Sequence, residues 1–172
     1  MSEAGRIVQI SVSNGGVPKR RVDDAHVTTL GLEGDAHREL DHHGGPERAV
    51  CLYSLDVIRA LVAEGHTVVP GALGENVTVE NLRWETLSPG THLRLGQRVL
   101  LQITRYTSPC FNIKTSFKAG EFSRVSQKRH PGWSRVYARV LVEGRIRTGD
   151  PVRIVDELVA AEHVASCSGS MA

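Results

Sequence analysis

Residues 133–143, Trp133-Ser134-Arg135-Val136-Tyr137-Ala138-Arg139-Val140-Leu141-Val142-Glu143, repeat with a period of two. Val136, Ala138, Val140 and Val142 fall on one face, and Arg135, Tyr137, Arg139 and Leu141 on the other. That is the pattern of a long strand with one side against a core. Working outward, Gly144 opens a turn into Arg145-Ile146-Arg147, Gly149-Asp150 makes another, and Val152 to Val155 reads as the last strand. In the other direction, Arg98 to Thr104 and His92 to Leu95 are apolar runs joined by Gly96-Gln97 in hairpin fashion. Val77 to Glu80, Ala49 to Tyr53, His26 to Leu30 and the alternating Arg6 to Ser13 extend the series toward the N-terminus. One clear amphipathic helix interrupts it, Leu55 to Glu64, with Ser54 as cap, Asp56 in the first turn and Gly65 past the end. Leu55, Ile58, Leu61 and Val62 form its core stripe. Eight or nine short strands punctuated by turns imply a mainly β domain with short helices, built as a closed or nearly closed β-barrel. The barrel domain is expected over residues 1–157, and residues 158–172 as a helix-and-tail appendage. A short helix is expected over Asp156 to Ala165, with small polar residues from Ser166 onward fraying and partly disordered.

Composition narrows the function. With 172 residues, of which 40% are hydrophobic, the chain can build a core without covalent staples. Twenty-one basic against 19 acidic residues leave a net charge of +2, which gives no general attraction to nucleic acid or to a membrane surface. Cys51, Cys110 and Cys167 are odd in number and far apart, which argues against a disulfide framework and for a reducing compartment. Met1 to Val12 lacks the pattern of a secretion signal, and no apolar run approaches the roughly 18 residues of a membrane span. A cytoplasmic protein is the expectation.

The candidate chemistry sits in Thr107-Ser108-Pro109-Cys110-Phe111-Asn112-Ile113-Lys114. Ser108 is a good N-cap and Pro109 suits the first helical position, which places Cys110 in the opening turn of a short helix. Exposed N–H groups there, with Lys114 one turn on and Arg105 closing the preceding strand, favour a thiolate. Cys110 is therefore a candidate ligand or sulfur-handling nucleophile. The alternative is a half-buried thiol acting as a small hydrophobe. Three of the eight histidines fall between His37 and His43 in a polar loop. Asp35, His37, His42 and His43 have the chemistry of a metal site, but their spacing matches no standard zinc pattern, and hydrogen-bonding loop histidines are the expectation. Asn76 ends the glycine-punctuated loop from Pro70, where its amide can either fix loops or hold a ligand. Ser123 to Pro131 reads as a solvated basic loop.

Four motifs, taken in order, carry a resemblance: GLEGDAHRELDHHGGPERAVCLY from Gly31, PGALGENVTVE from Pro70, a strand ending in ITRYTSPC, and GW followed by RV-x-x-x-GRIRTGDPV. Together they resemble the MOSC domain, named for the C-terminal domain of molybdenum cofactor sulfurase, over about Gly31 to Val155. The likeness is to its small standalone bacterial members. It implies a β-barrel with a basic cleft for a phosphorylated molybdopterin. Cys110 matches the cysteine that ligates molybdenum in amidoxime-reducing relatives and is proposed to carry persulfide sulfur in sulfurases. His43, Gly44, Gly45 and Arg48, then Glu75 and Asn76, then Arg105 match positions that shape the cofactor cleft. This chain has Thr107 where relatives commonly carry an arginine two residues before the Pro-Cys pair. The implied function is binding of molybdenum cofactor through Cys110, with reduction of N-hydroxylated small molecules by electrons from a separate redox protein. A persulfide carrier supplied by a sulfur-donor protein and a non-catalytic anion- or partner-binding module are the alternatives. No pyridoxal phosphate is expected, since in sulfurases it belongs to a separate domain.

Overall fold

The computed structural model describes residues 4–36 and 44–169. Its strands are β1 (Gly5–Val12), β2 (Arg20–Val22), β3 (Asp24–Thr28), β4 (Gly31–Leu32), β5 (Val50–Ser54), β6 (Val77–Glu80), β7 (His92–Leu95), β8 (Val99–Tyr106), β9 (Val136–Val142), β10 (Gly144–Arg147) and β11 (Pro151–Val155). Two α-helices, α1 (Leu55–Ala63) and α2 (Glu157–Ser168), are joined by several 3₁₀ turns.

Seven strands run in the order β11-β7-β8-β9-β5-β6-β1, and β1 pairs back onto β11 to close the ring. Gly5 lies opposite Val152 at the closure. The barrel expected from the sequence is thus observed and fully closed, which leaves no edge among its seven members. β2 extends from β1, and β10-β3-β4 form a separate three-stranded sheet. All ring pairings are antiparallel except β5–β6. A parallel pair needs a crossover longer than a hairpin turn. α1 supplies it, held at its start by Ser54 Oγ accepting from Val57 N at 3.2 Å.

Alternation drives the packing. Val136, Ala138 and Val140 point inward from β9, as their spacing implies, and join inward residues such as Leu52, Leu101 and Ile103; Val142, expected on the same face, is buried instead with Leu100 in a second cluster, beyond an irregularity in the β8–β9 register. The strand begins at Val136 rather than Trp133, because Trp133 and Ser134 serve as acceptors for other elements: Tyr53 Oη donates to Trp133 O at 2.7 Å and Trp84 Nε1 to Ser134 O at 2.9 Å. α2 runs to Ser168, beyond the expected end at Ala165, capped by Asp156 and packed through Ala160 onto Leu100 and Val142. The basic loop around Ser123 is also more structured than its composition implies. Arg124 binds the Glu64 carboxylate through two nitrogens and lies 3.6 Å over the Trp133 ring, which fastens this segment to the end of α1. Among the described residues no helix is long and apolar enough to cross a membrane.

Candidate functional site

One end of the barrel gathers the C-terminal ends of β1 and β8 and the N-terminal ends of β2, β6 and β9. Between them lies a partly open cavity of about 230 Å³. Cys110, Cys51, Asn76, Lys19, Arg135 and Tyr137 line it, with Gly16, Val17, Leu73 and Gly74 in the wall.

Cys110 enters from the segment after β8. Thr107 N donates to Arg135 O at 3.0 Å and Ser134 Oγ to Thr107 O at 3.1 Å, so this segment is stitched to the start of β9. The helix expected to contain Cys110 instead begins after it. Cys110 is extended, with φ −126° and ψ 168°, and forms the cap position of a 3₁₀ turn, Phe111–Ser116. Its carbonyl accepts from Ile113 N at 3.2 Å, and Ile113 is buried, which anchors the turn. Ser108 makes no cap and stays exposed. The thiol is half-buried and lines the cavity.

Asn76 is committed to architecture. Its Oδ1 accepts from Cys51 N at 3.0 Å, and its Nδ2 donates to Ser11 O at 3.2 Å and to Asp35 Oδ2 at 2.9 Å. Of the two roles open to it from the sequence, the structure shows the loop-fixing one. Asp35 in turn accepts from Ser13 N at 2.9 Å and pairs with Lys19 Nζ at 2.6 Å; their side chains are only 1% and 7% exposed. A buried pair of this kind is matched in charge, so Lys19 adds little net field to the cavity. Asp35 therefore serves an ion pair. His37, His42 and His43, the remaining members of the conceivable metal group, lie outside the described residues. Among the described residues no three histidine, cysteine or acidic side chains converge as a metal site.

Glu75 lies beneath the wall, fully buried. Its Oε1 accepts from Gly71 N at 2.6 Å and Thr78 Oγ1 at 3.3 Å, while Oε2 has no partner. Burial pushes its carboxyl up, against the pull of the Gly71 hydrogen bond and Arg135. Gly71 and Gly74 both hold positive φ, 86° and 89°. A Cβ on Gly71 would stand 2.6 Å from Lys19 O, and one on Gly74 3.0 Å from Val17 Cγ1, so this turn needs glycine to close against the loop that carries Lys19.

The other residues singled out from the sequence are divided. Arg48 ends a 3₁₀ turn that starts after Gly44 and Gly45, and its guanidinium lies 5.9 Å from the Tyr137 ring, beside the cavity but outside its lining. Arg105 is exposed on β8, opposite Tyr137 in register, and does not line the cavity. Lys114 is exposed too, and its ammonium lies 4.9 Å over Phe111 instead of facing the thiol. A 3₁₀ turn rotates by three residues per turn, which is why the expected alignment of positions 110 and 114 on one face is lost.

Four lining residues went unmarked in the sequence: Cys51, Tyr137, Lys19 and Arg135. Cys51 and Tyr137 are register partners on β5 and β9. Burial pushes the Cys51 thiol up to about 12, with Arg135 acting in the opposite direction. It also pushes the Tyr137 hydroxyl up to about 12, so that group keeps its proton at neutral pH. Arg135, assigned by alternation to the outer face of a strand, is instead 6% exposed and at the cavity, with Nη1 donating to Leu73 O.

Comparison with known proteins places this arrangement. The MOSC domain model matches residues 39–153. Protein YiiM of Escherichia coli is 30% identical over 148 residues, which take in 83% of this chain and 64% of that protein. A protein named Reductase from Gibberella moniliformis is 33% identical over 134 residues, 75% of this chain and 23% of that one. The chain thus spans less than two thirds of the length of either relative. The crystal structure of YiiM from Escherichia coli is similar in fold, with a TM-score of 0.68 at 22% identity, covering 96% of this chain and 78% of the other.

Proposed function

The chain belongs to the MOSC domain family, and from that premise we propose that it binds a molybdenum cofactor at the barrel-end cavity, with Cys110 as the protein's sulfur ligand. The observation that carries this reading is the placement of a half-buried thiol on an open cavity that also holds a buried arginine. A soft thiolate suits a sulfur-bound molybdenum centre, and an arginine suits an oxyanion. The donor set fits the group in a second respect: Arg135 lines the cavity and its guanidinium is not fully spent on the protein, since it donates to Leu73 O while Nε is buried without a partner. A volume of about 230 Å³ is below that of a site enclosing a whole cofactor, so the cavity fits the coordinating end and leaves the remainder at its mouth.

When bound, the cofactor supplies two-electron redox chemistry at the metal. The chain's residues prepare the place for it. Asn76 and the Lys19–Asp35 pair hold the wall, so Cys110 faces a rigid surface. Tyr137 lines the same cavity as Cys110, and its hydroxyl stays protonated through neutral pH. The reaction we propose is reduction of an N-hydroxylated small molecule, in which the N–O bond breaks and two electrons and two protons yield N–H and water. The electrons come from a separate redox protein. The relative named Reductase supports this direction.

The test is metal content by mass spectrometry of protein made in a molybdenum-replete host. Wild type carries molybdenum and Cys110→Ser does not. A persulfide on Cys110 in protein that takes up no molybdenum would replace this reading with a sulfur carrier.

A further inference from the structure

The cavity contains two cations in different electrical circumstances. Lys19 has its carboxylate at 2.6 Å. Arg135 has none: it is 6% exposed, no carboxylate among the described residues lies within ion-pair distance of it, its guanidinium donates to the neutral carbonyl of Leu73, and Nε is buried without a partner. Glu75, an acidic neighbour that acts on the same groups electrostatically, makes no ion pair with it. A buried guanidinium whose acidic neighbour stands outside ion-pair distance has its charge incompletely matched, and an incoming anion in direct contact recovers part of that cost. The planar fork presents donors suited to carboxylate and phosphate oxygens. Cys110 lines the same cavity.

We infer that Arg135 anchors the acidic group of a small substrate, a carboxylate or phosphate, and so selects anionic molecules for the cavity that Cys110 lines. This rests on the reading of the cavity as the place where Cys110 holds the cofactor and substrate is reduced. It makes Arg135 a specificity-determining residue, one that Arg48, Arg105 and Lys114, all outside the lining, do not duplicate.

The test uses full-length protein without molybdenum and two alkylating probes of similar size. In each, the Cys110 sulfur displaces iodide and forms an S–C bond; iodoacetate carries a carboxylate and iodoacetamide does not. Modification at Cys110 is followed by peptide mass spectrometry. Relative to free cysteine, the iodoacetate-to-iodoacetamide rate ratio in wild type is expected to rise about tenfold, to return to the free-cysteine value in Arg135→Gln, and to be partly kept in Arg135→Lys. Inorganic phosphate should slow the iodoacetate reaction of wild type at constant ionic strength. A wild-type ratio equal to that of free cysteine, or no protection by phosphate, overturns the inference without any need for a folded variant. Because this readout needs no metal, selectivity in protein that never takes up molybdenum supports the anion site while faulting only the cofactor reading. In protein that carries molybdenum, phosphate should still raise the thermal midpoint of wild type but not of Arg135→Gln. Absence of that rise assigns Arg135 to the cofactor's own phosphate and overturns the substrate role.

Discussion

Replacement of Asn76 tests the framework under the cavity most severely. Its amide makes three hydrogen bonds, to Cys51 N at 3.0 Å, Ser11 O at 3.2 Å and Asp35 Oδ2 at 2.9 Å, and the residue is 1% exposed. Asn76→Ala leaves a backbone donor and two acceptors without this partner, each costing about 1–3 kcal/mol if water does not enter. Asp35 keeps Ser13 N and Lys19, so its share falls at the low end. A total loss of about 3–5 kcal/mol follows, a large part of the ~5–15 kcal/mol of a whole domain. With a urea dependence of about 2 kcal/mol per molar, the midpoint should fall by about 1.5–2.5 M. Asn76→Asp discriminates further. It keeps the acceptor for Cys51 N but sets a carboxyl against Asp35, which raises the folded-state pKa of the introduced group. A raised carboxyl pKa means the penalty is absent when the group is protonated and grows as pH rises through its unfolded value toward the folded one. The gap to wild type should therefore be wider at pH 8 than at pH 5. Asn76→Ala within about 1 kcal/mol of wild type, or an Asn76→Asp gap that does not change with pH, would refute this account of the wall.

Three further outcomes follow from the same structure. Ser54→Ala removes the cap of the β5–β6 crossover helix and should cost about 1 kcal/mol by urea denaturation. Glu75 has its carboxyl pushed up by burial, so ionisation opposes folding: stability should decline as pH rises above the ordinary carboxylate range, and Glu75→Gln should flatten that decline in denaturation curves taken between pH 5 and pH 8. Cys51, with its thiol pushed up to about 12, should resist iodoacetamide at pH 8 while Cys110 is modified; equal labelling in peptide maps of native protein would contradict the assigned burial.

Local pattern made most of the barrel legible. The alternation in β9, the apolar runs of β7 and β8 and the Ser54 cap each depend on neighbours in sequence, and each appears close to where its residues put it. The closure of β1 on β11 joins chain ends through pairs such as Gly5 and Val152, a relation that no local period encodes. The same division runs through the site. Cys110 stood out because cysteine beside proline after a strand is chemically distinctive, whereas the thiol of Cys51 looked like one more small apolar residue in Val50–Ser54. Lys19 and Asp35 form their pair only after two loops fold together, and nothing in either loop announces the other. Arg135 was misplaced for a definite reason. Its position fits the period of β9, but Ser134 and Trp133 are already used by Trp84 and Tyr53, so the strand has not begun and the guanidinium turns inward to Leu73. The rotation of a 3₁₀ turn likewise removed Lys114 from the thiol.

The proposed function turns on a bond between the sulfur at position 110 and molybdenum. X-ray absorption at the molybdenum edge measures it directly on metal-loaded wild type and on whatever metal Cys110→Ser can be made to hold by loading at high cofactor concentration. The variant should show one fewer sulfur neighbour and an edge shifted to higher energy. Identical sulfur counts and edge positions in the two proteins would contradict it.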